Sequence, residues 1–203
     1  DYVEYIPGDL PLVISAGHGG SLRPASIPDR TGGVLFEDRN TLELALRLAT
    51  ALEERLGGRP HVVLSHLHRV KLDPNRELAE AAEGDPAAAR AWWEYHTFLE
   101  AARAVVEEDH DEGLYVDVHG HAHPIPRVEL GYLLSAATLG LDDAVLSAPA
   151  QGAASSVRNL VRPGGHTLAE LVRGPLSLGA RLEEAGIPAV PSPAHPSPGE
   201  DPY

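Results

Sequence analysis

Residues 12–20 read LVISAGHGG, a short apolar run that stops at a glycine-rich turn holding His18. A continuous apolar run of this length, bounded by glycine, is typical of a buried strand. The design recurs at residues 114–121, LYVDVHGH, where a second run leads to His119, and residues 61–65, HVVLS, form a third run. Long helical patterns separate these runs. The sequence therefore predicts an α/β fold built on a mostly parallel, doubly wound sheet with helices on both faces.

The rest of the chain extends this pattern over a predicted single domain, residues 1–203. With 203 residues and 43% hydrophobic composition, the chain is long enough for one core and too short to expect two. The further predicted helices run from 38 or 40 to about 56, from 86 to about 108, near 155–161 and at 176–185. Two more strands are predicted at 128–135 and 187–190. Loops are predicted at 21–33 and 69–76, and an extended proline-rich tail begins at 191.

Composition excludes several classes of function. Thirty acidic against sixteen basic residues give a net charge of −14, which disfavours binding to a phosphate backbone. The absence of cysteine excludes disulfides, iron–sulfur clusters and thiolate metal sites, so a metal would need histidine and carboxylate ligands. No apolar run approaches the ~20 residues that span a bilayer, and the amino end does not resemble a signal peptide. We expect a cytoplasmic protein without nucleic-acid or membrane partners, whose sequence here is trimmed at both ends.

Two histidines are predicted to meet at one edge of the sheet. His18 and His119 each follow an apolar strand, and parallel strands bring such residues to the carboxyl edge, where open α/β sheets bind ligands. Glu37 and Asp38 add carboxylates before the first long helix, and the pattern does not choose between them. Two imidazoles and one carboxylate form an open three-ligand site for one zinc ion, with a position left for water. Taken singly, either histidine is better explained as an ordinary turn residue; the two together with a nearby carboxylate favour a metal site.

The neighbours of His119 have open roles. Asp117, two residues earlier, could orient the His119 ring, because a metal-bound imidazole usually needs a partner on its other nitrogen, or it could pair with an arginine. His121 and His123 continue the run; we expect that they contact substrate or the ligands, or are simply exposed, with His121 the candidate for substrate.

A basic loop and a strand glutamate complete the candidate site. Residues 69–76 carry Arg69, Lys71, Asn75 and Arg76, and arginine binds carboxylates through a planar fork, which predicts an acidic substrate. The alternative is a solvated loop with surface ion pairs. Glu129 lies in an apolar strand, where burial would raise its pKa towards that of a general base, unless it is paired or faces solvent. For Trp92 the pattern predicts core packing, and for His96 it predicts no role.

These motifs together resemble those of the N-formylglutamate amidohydrolase family. The motifs are GHGG at 17–20, DPNR at 73–76, DVHGH at 117–121 and VELGY at 128–132, and the resemblance covers the chain from Val13 to its end. That family is related to the zinc carboxypeptidases and aspartoacylases and is similar to the zinc N-acetylmuramoyl-alanine amidases.

The resemblance implies a zinc-exopeptidase-like (phosphorylase/hydrolase-like) fold and specific roles for individual residues. It implies that His18 is the first metal ligand and His119 the last, that Asn75 and Arg76 grip the substrate carboxylate, and that Glu129 activates water. Carboxypeptidases and aspartoacylases have a glutamate where this chain has Ser21, so the carboxylate ligand must come from elsewhere, as in the amidases. The family also continues beyond the point where this sequence stops, through a late glutamate; if that residue is the base, Glu129 is only a neighbour.

The expected function is a zinc-dependent amidohydrolase that cleaves an N-acyl amino acid, for example an N-formyl one, with an acidic side chain. Its expected partner is this small-molecule substrate. Two alternatives remain at this stage. One is a cell-wall hydrolase similar to the N-acetylmuramoyl-alanine amidases, and the other is a catalytically silent metal-binding domain.

Overall fold

The structure is a computed structural model that describes residues 2–203. Contacts divide the chain into two compact units, Asp1–His121 and Ala122–Tyr203. The single domain expected over residues 1–203 stays a prediction. Among the described residues, no helix is long and apolar enough to cross a membrane.

The first unit is built on a four-stranded mixed sheet. Its strands are β1 (Val3–Ile6), β2 (Leu12–Ala16), β3 (His61–Ser65) and β4 (Leu114–Asp117), in the order β1-β3-β2-β4. β2 is parallel to both β3 and β4, as predicted, whereas β1 is antiparallel to β3. The α/β class is confirmed, and the sheet is small. β1 was not predicted, because four residues followed by Pro7 and Gly8 give a weak periodic signal.

Helices cover both faces of this sheet. They are α1 (Thr41–Leu56), α2 (Leu78–Ala82) and α3 (Pro86–Asp109). Successive side chains of a strand point to opposite faces, so Ile14 packs with Ala45 and Ala49 of α1. Its neighbour Val13 packs with residues of α3 instead. The two long helices begin and end close to the predicted residues, and α2 was not predicted.

The ends of the long helices follow local chemistry. Asp85 caps α3 by accepting hydrogen bonds from the backbone N–H groups of Ala87 and Ala88, and Pro86 occupies the first turn, where its missing N–H costs nothing. Asn40 precedes α1 with φ of 65° and its side chain makes no capping bond. The chain thus turns sharply just after Asp38, immediately before the helix.

The second unit is mostly short helices around a leucine-rich cluster. Two short parallel strands, β5 (Val128–Glu129) and β6 (Ala189–Val190), pair with each other. The helices are α4 (Ala136–Leu139), α5 (Asp143–Leu146), α6 (Pro149–Ala154), α7 (Leu168–Arg173) and α8 (Leu178–Glu184), with a 3₁₀ turn at Arg158–Leu160.

Two predictions in this unit were too long, and the four helices α4 to α7 were not predicted. The strand predicted at 128–135 is paired only over its first two residues, and Leu133 has φ of 57°, which is incompatible with an extended strand. The helix predicted near 155–161 is only the 3₁₀ turn. Helix α7 escaped prediction although Thr167 and Glu170 form a capping box at its start.

Candidate metal centre

Side chains from three different loops of the first unit lie next to one another. His18 follows β2, Asp38 precedes α1 and His119 follows β4. The Nδ1 atoms of the two histidines lie 3.2 Å apart, and Asp38 Oδ2 lies 3.4 Å from His18 Nδ1 and 3.2 Å from His119 Nδ1. His18 and Asp38 are buried and His119 is partly exposed. The group could therefore hold a metal ion that remains accessible from one side.

The spacing of these atoms fits a small tetrahedral ion. Zinc–nitrogen and zinc–oxygen bonds near 2.0–2.1 Å place neighbouring tetrahedral ligands about 3.3 Å apart. All three separations in the structure fall within about 0.1 Å of that value. Two imidazole nitrogens and a carboxylate oxygen are also a donor set that zinc accepts, and three ligands leave the fourth position for water or substrate.

Each histidine ring has a carboxylate on its other nitrogen. His18 Nε2 lies 2.7 Å from Asp73 Oδ1, and His119 Nε2 lies 2.7 Å from Asp117 Oδ2. Such partners hold the proton on Nε2, so that Nδ1 presents its lone pair to a metal. Of the two roles open for Asp117, orientation of His119 is thus the one seen in the structure.

Backbone contacts fix the position of Asp38. Its N–H donates to His18 O at 3.0 Å, and its Oδ2 accepts from the Gly120 N–H at 3.0 Å. Its other oxygen, Oδ1, accepts from Arg69 Nη1 at 3.2 Å. Asp38 is therefore tied to the two turns that carry the histidines.

Glu37 points away from this group. Its Oε2 lies 2.7 Å from His68 Nε2, and Arg39 Nε lies 3.3 Å from Oε1. The pKa of Glu37 is lowered to about 2, mainly by its own backbone N–H and by His68. Of the two carboxylates that the sequence left open, only Asp38 lies beside the histidines.

The contacts between the carboxylates and the imidazoles of this centre show in the directions of their pKa shifts. The pKa of His119 is raised to about 10, since hydrogen bonds to Asp117 and Asp38 outweigh the opposing effect of burial. Burial alone would raise the pKa of Asp73, but the contacts with His18 and Arg69 have the larger effect and hold this pKa well below its usual range. A pocket that stabilises positive charge on an imidazole in this way equally attracts a divalent cation.

Glycines let three backbones approach each other around His18. A Cβ on Gly19 would lie 2.6 Å from Leu42 N, and one on Gly20 would lie 2.3 Å from the His66 carbonyl. On Gly17 it would lie 3.0 Å from Asn75 Oδ1. The GHGG motif therefore serves close packing of the turn against α1, the end of β3 and residues 73–76.

The basic loop is divided between buried and exposed cations. Arg69 donates to Asp73 Oδ2 at 3.0 Å and to Asp38, and Lys71 contacts Asp29 at 2.7 Å and the carbonyl of Ile27. The ion pairs of Arg69 are thus buried, whereas the buried Lys71 pairs with an aspartate that is exposed.

Two loop residues remain at the surface. The Asn75 amide donates to Asp117 Oδ2 at 3.0 Å, and the guanidinium of Arg76 is 45% exposed, with Glu80 3.5 Å away. Asn75 thus lies beside His119 and Asp117, and the neighbouring Arg76 is exposed, whereas Arg69 is engaged with two carboxylates. The assignment of all three to substrate stays a prediction.

The candidates near the boundary between the units differ in position. His121 ends the first unit and is exposed. Glu129 lies in β5 of the second unit, where His123 Nδ1 is 2.9 Å from Oε2 and Arg127 Nε is 3.5 Å from Oε1. The paired state of Glu129 matches one of the alternatives open from sequence. Its assignment as general base, like that of His121 to substrate, stays a prediction.

The sequence pattern did not predict a role in the site for four residues that contribute to it: Ser15, Asp73, Trp92 and His96. Asp73 orients His18, and Ser15 Oγ donates to Asp117 Oδ1 while lying 2.7 Å from the Tyr115 hydroxyl. Trp92 packs against the core as predicted, but its indole also donates to a loop carbonyl, as His96 does. The available signal was the helical spacing of Trp92 and His96, which places both on one face of α3.

Comparisons with protein-family models, with curated proteins and with solved structures find no match to this chain. Function is therefore inferred below from the geometry of the site and from the sequence motifs.

Proposed function

We propose that this protein is a zinc-dependent amidohydrolase that cleaves an N-acyl amino acid, with an acidic amino acid as the preferred product. The observation that carries the proposal is the triangle of His18, Asp38 and His119, with each imidazole backed by a buried or half-buried carboxylate. The resemblance of the sequence motifs to the N-formylglutamate amidohydrolases supports the choice of reaction. It also leads us to propose a zinc-exopeptidase-like fold.

The ligand set supplies the chemistry that this reaction needs. His18, Asp38 and His119 would hold the zinc ion, and when bound it would supply polarisation of the acyl oxygen and a lowered pKa, roughly 7, for water. Asp73 and Asp117 keep the two imidazoles in the tautomer that binds metal. Arg69 holds the second oxygen of Asp38, so that the first remains directed at the histidines.

Substrate binding is assigned to the exposed end of the basic loop. Arg76 presents a half-exposed guanidinium, which can take a carboxylate through two parallel hydrogen bonds. Asn75 contacts both Asp117 and the His119 ring, so a carboxylate bound by Asn75 and Arg76 lies next to the metal group. Holding the substrate at one end orients its amide over the metal. Glu129 is proposed as the base that takes the proton of water and passes it to the leaving amine.

Metal content tests the centre first. We expect about one zinc per chain by elemental analysis, lost in His18→Ala, His119→Ala and Asp38→Ala. The matched control is Glu37→Ala, which removes the neighbouring carboxylate and should retain the zinc, because Glu37 contacts His68 instead. Absence of metal after reconstitution with zinc, or loss of zinc in Glu37→Ala but not in Asp38→Ala, would contradict the proposed centre.

A substrate panel tests the reaction. The zinc-loaded protein should release amine from N-formyl or N-acetyl derivatives of acidic amino acids faster than from neutral ones, and Arg76→Ala should raise KM strongly. An Arg76→Ala variant with unchanged KM on an acidic substrate would refute the carboxylate grip. Bound zinc without turnover of any N-acyl amino acid would refute the hydrolase and leave a metal-binding domain, and turnover of muropeptides alone would indicate a cell-wall amidase.

A further inference from the structure

Residues 73–76 (DPNR), here called the strap, are held by two hydrogen bonds from one face of α3. The Trp92 Nε1–H donates to the carbonyl of Arg76 at 2.9 Å, and His96 Nε2 lies 3.0 Å from the carbonyl of Pro74. These carbonyls lie on either side of Asn75. The two donors therefore bracket the residue whose side chain reaches Asp117 and His119.

The two donors also hold each other. Trp92 and His96 are four residues apart, so they are neighbours on the helix surface, and their ring centroids lie 4.1 Å apart. Trp93 contacts the Trp92 ring edge-on at 5.0 Å. Packing of this kind restricts the rotamers of both rings, so each donor is already directed at its carbonyl without a further cost in side-chain entropy.

The strap is fixed on its other sides by the metal centre itself. Asp73 Oδ1 accepts from the Asn75 N–H at 3.2 Å while it also binds His18, and Asn75 Oδ1 packs against Gly17. What the contacts from α3 add is the placement of the peptide groups on both sides of Asn75. They thereby set the direction in which Asn75 and Arg76 leave the backbone.

We infer that Trp92 and His96 are positioning residues for carboxylate recognition, which they influence by holding the strap and without contact to the substrate. The inference rests on the proposed function for the identity of the ligand. It assigns to a tryptophan and a histidine of α3 a role in KM rather than in metal binding. If the hydrogen bonds from Trp92 and His96 are weakened, the guanidinium of Arg76 shifts relative to the metal group, and a misplaced binding group lowers the affinity for substrate.

The test replaces each donor by phenylalanine, which is aromatic but has no N–H group. In Trp92→Phe and in His96→Phe, loss of one hydrogen bond should raise KM for an N-acyl acidic amino acid by about 3- to 10-fold, with kcat within about twofold. The Kd of glutarate, a dicarboxylate without a scissile bond, should rise by the same factor in calorimetric titrations of the zinc-loaded protein. Zinc content should stay at one ion per chain, because neither residue contacts a ligand of the proposed centre.

Two further variants separate positioning from general damage. His96→Gln replaces the imidazole by an amide whose nitrogen lies at about the place of Nε2, and it should restore KM and Kd towards the wild-type values. Trp93→Phe is the matched control, since Trp93 is largely exposed and phenylalanine can keep the edge contact with Trp92, so KM and Kd should stay near the wild-type values. A fall in kcat alone, or no rescue by glutamine, would overturn the positioning role.

The outcomes distinguish this inference from the proposed function. If the wild type turns over substrate and both donor variants keep its KM, the inference is wrong and the amidohydrolase stands. If the wild type binds glutarate but hydrolyses nothing, the hydrolase fails and the change in Kd still decides the role of Trp92 and His96. If it neither binds glutarate nor turns over substrate, both are wrong.

Discussion

Substitution of Asp73 by asparagine is the most informative perturbation of the candidate centre. Asp73 is fully buried, and its two oxygens face three donors: His18 Nε2 at 2.7 Å, the Asn75 N–H at 3.2 Å and Arg69 Nε at 3.0 Å. An asparagine has one oxygen and one NH₂ group in this space. Whichever way the amide is turned, its NH₂ faces a group that itself donates.

The magnitudes follow from these contacts. Loss of the carboxylate behind a metal-binding histidine typically costs about 10- to 100-fold in metal affinity, and we expect a loss in that range. Breaking a buried ion pair typically costs about 3–5 kcal/mol. Because Arg69 keeps its contact with Asp38, we expect Asp73→Asn to lower the free energy of unfolding of the metal-free protein by a smaller amount, about 2–3 kcal/mol.

Two assays read these effects separately. Competition against a chromophoric chelator gives the zinc affinity, and urea unfolding followed by tryptophan fluorescence gives the stability without metal. Glu43→Gln serves as the control, since it breaks an exposed ion pair with Arg47 on α1 and should change neither quantity by more than about twofold or 0.5 kcal/mol. Zinc affinity of Asp73→Asn within twofold of the wild type would refute the orienting role of Asp73.

Three further substitutions, each measured by urea unfolding, test close packing, an acid-sensitive carboxylate and a buried hydroxyl. Gly20→Ala should cost about 2–3 kcal/mol, because its Cβ would lie 2.3 Å from backbone, whereas Gly131→Ala, with nothing within 4 Å, should change stability by less than about 1 kcal/mol; equal effects would contradict the packing argument. The pKa of Glu83 is lowered by the backbone N–H groups of Gly32 and Thr31, so its contribution to stability is present above its ordinary pKa of 4.5 and is lost as pH falls through the lowered value. Glu83→Gln should accordingly flatten the acid side of the stability profile, and a profile that keeps its slope below pH 4.5 would count against this. The buried Tyr95 hydroxyl makes no well-formed hydrogen bond among the described residues, although Ser15 lies close to it, so Tyr95→Phe should leave stability unchanged or raise it by about 1 kcal/mol. A loss above about 1 kcal/mol would show that the contact with Ser15 is a stabilising hydrogen bond.

The strands that carry the histidines and the long helices beside them could be predicted from the amino-acid pattern alone. The runs at 12–16 and 61–65 are recognisable because a strand buried on both faces is mostly apolar along its length. The run at 114–117 is recognisable from its first three apolar residues, although β4 lies at the edge of the sheet with Leu114 and Tyr115 exposed. Two of these runs, 12–16 and 114–117, are followed by a glycine and a histidine that the sequence places just beyond the strand. Parallel pairing of β2 with β4 brings those two ends together, so His18 and His119 were predictable as neighbours.

The tertiary structure decided which side chains complete the site. Glu37 and Asp38 are adjacent and chemically alike, and only the backbone contacts of Asp38 to the turns of His18 and His119 separate them. The choice of Asp73 to orient His18, and of Trp92 to hold the strap, likewise depends on contacts between residues 16 to 55 positions apart. Periodicity reports whether a residue faces the core, because burial repeats along an element. The partner of a polar group does not repeat in this way, since it is set by how separate segments meet.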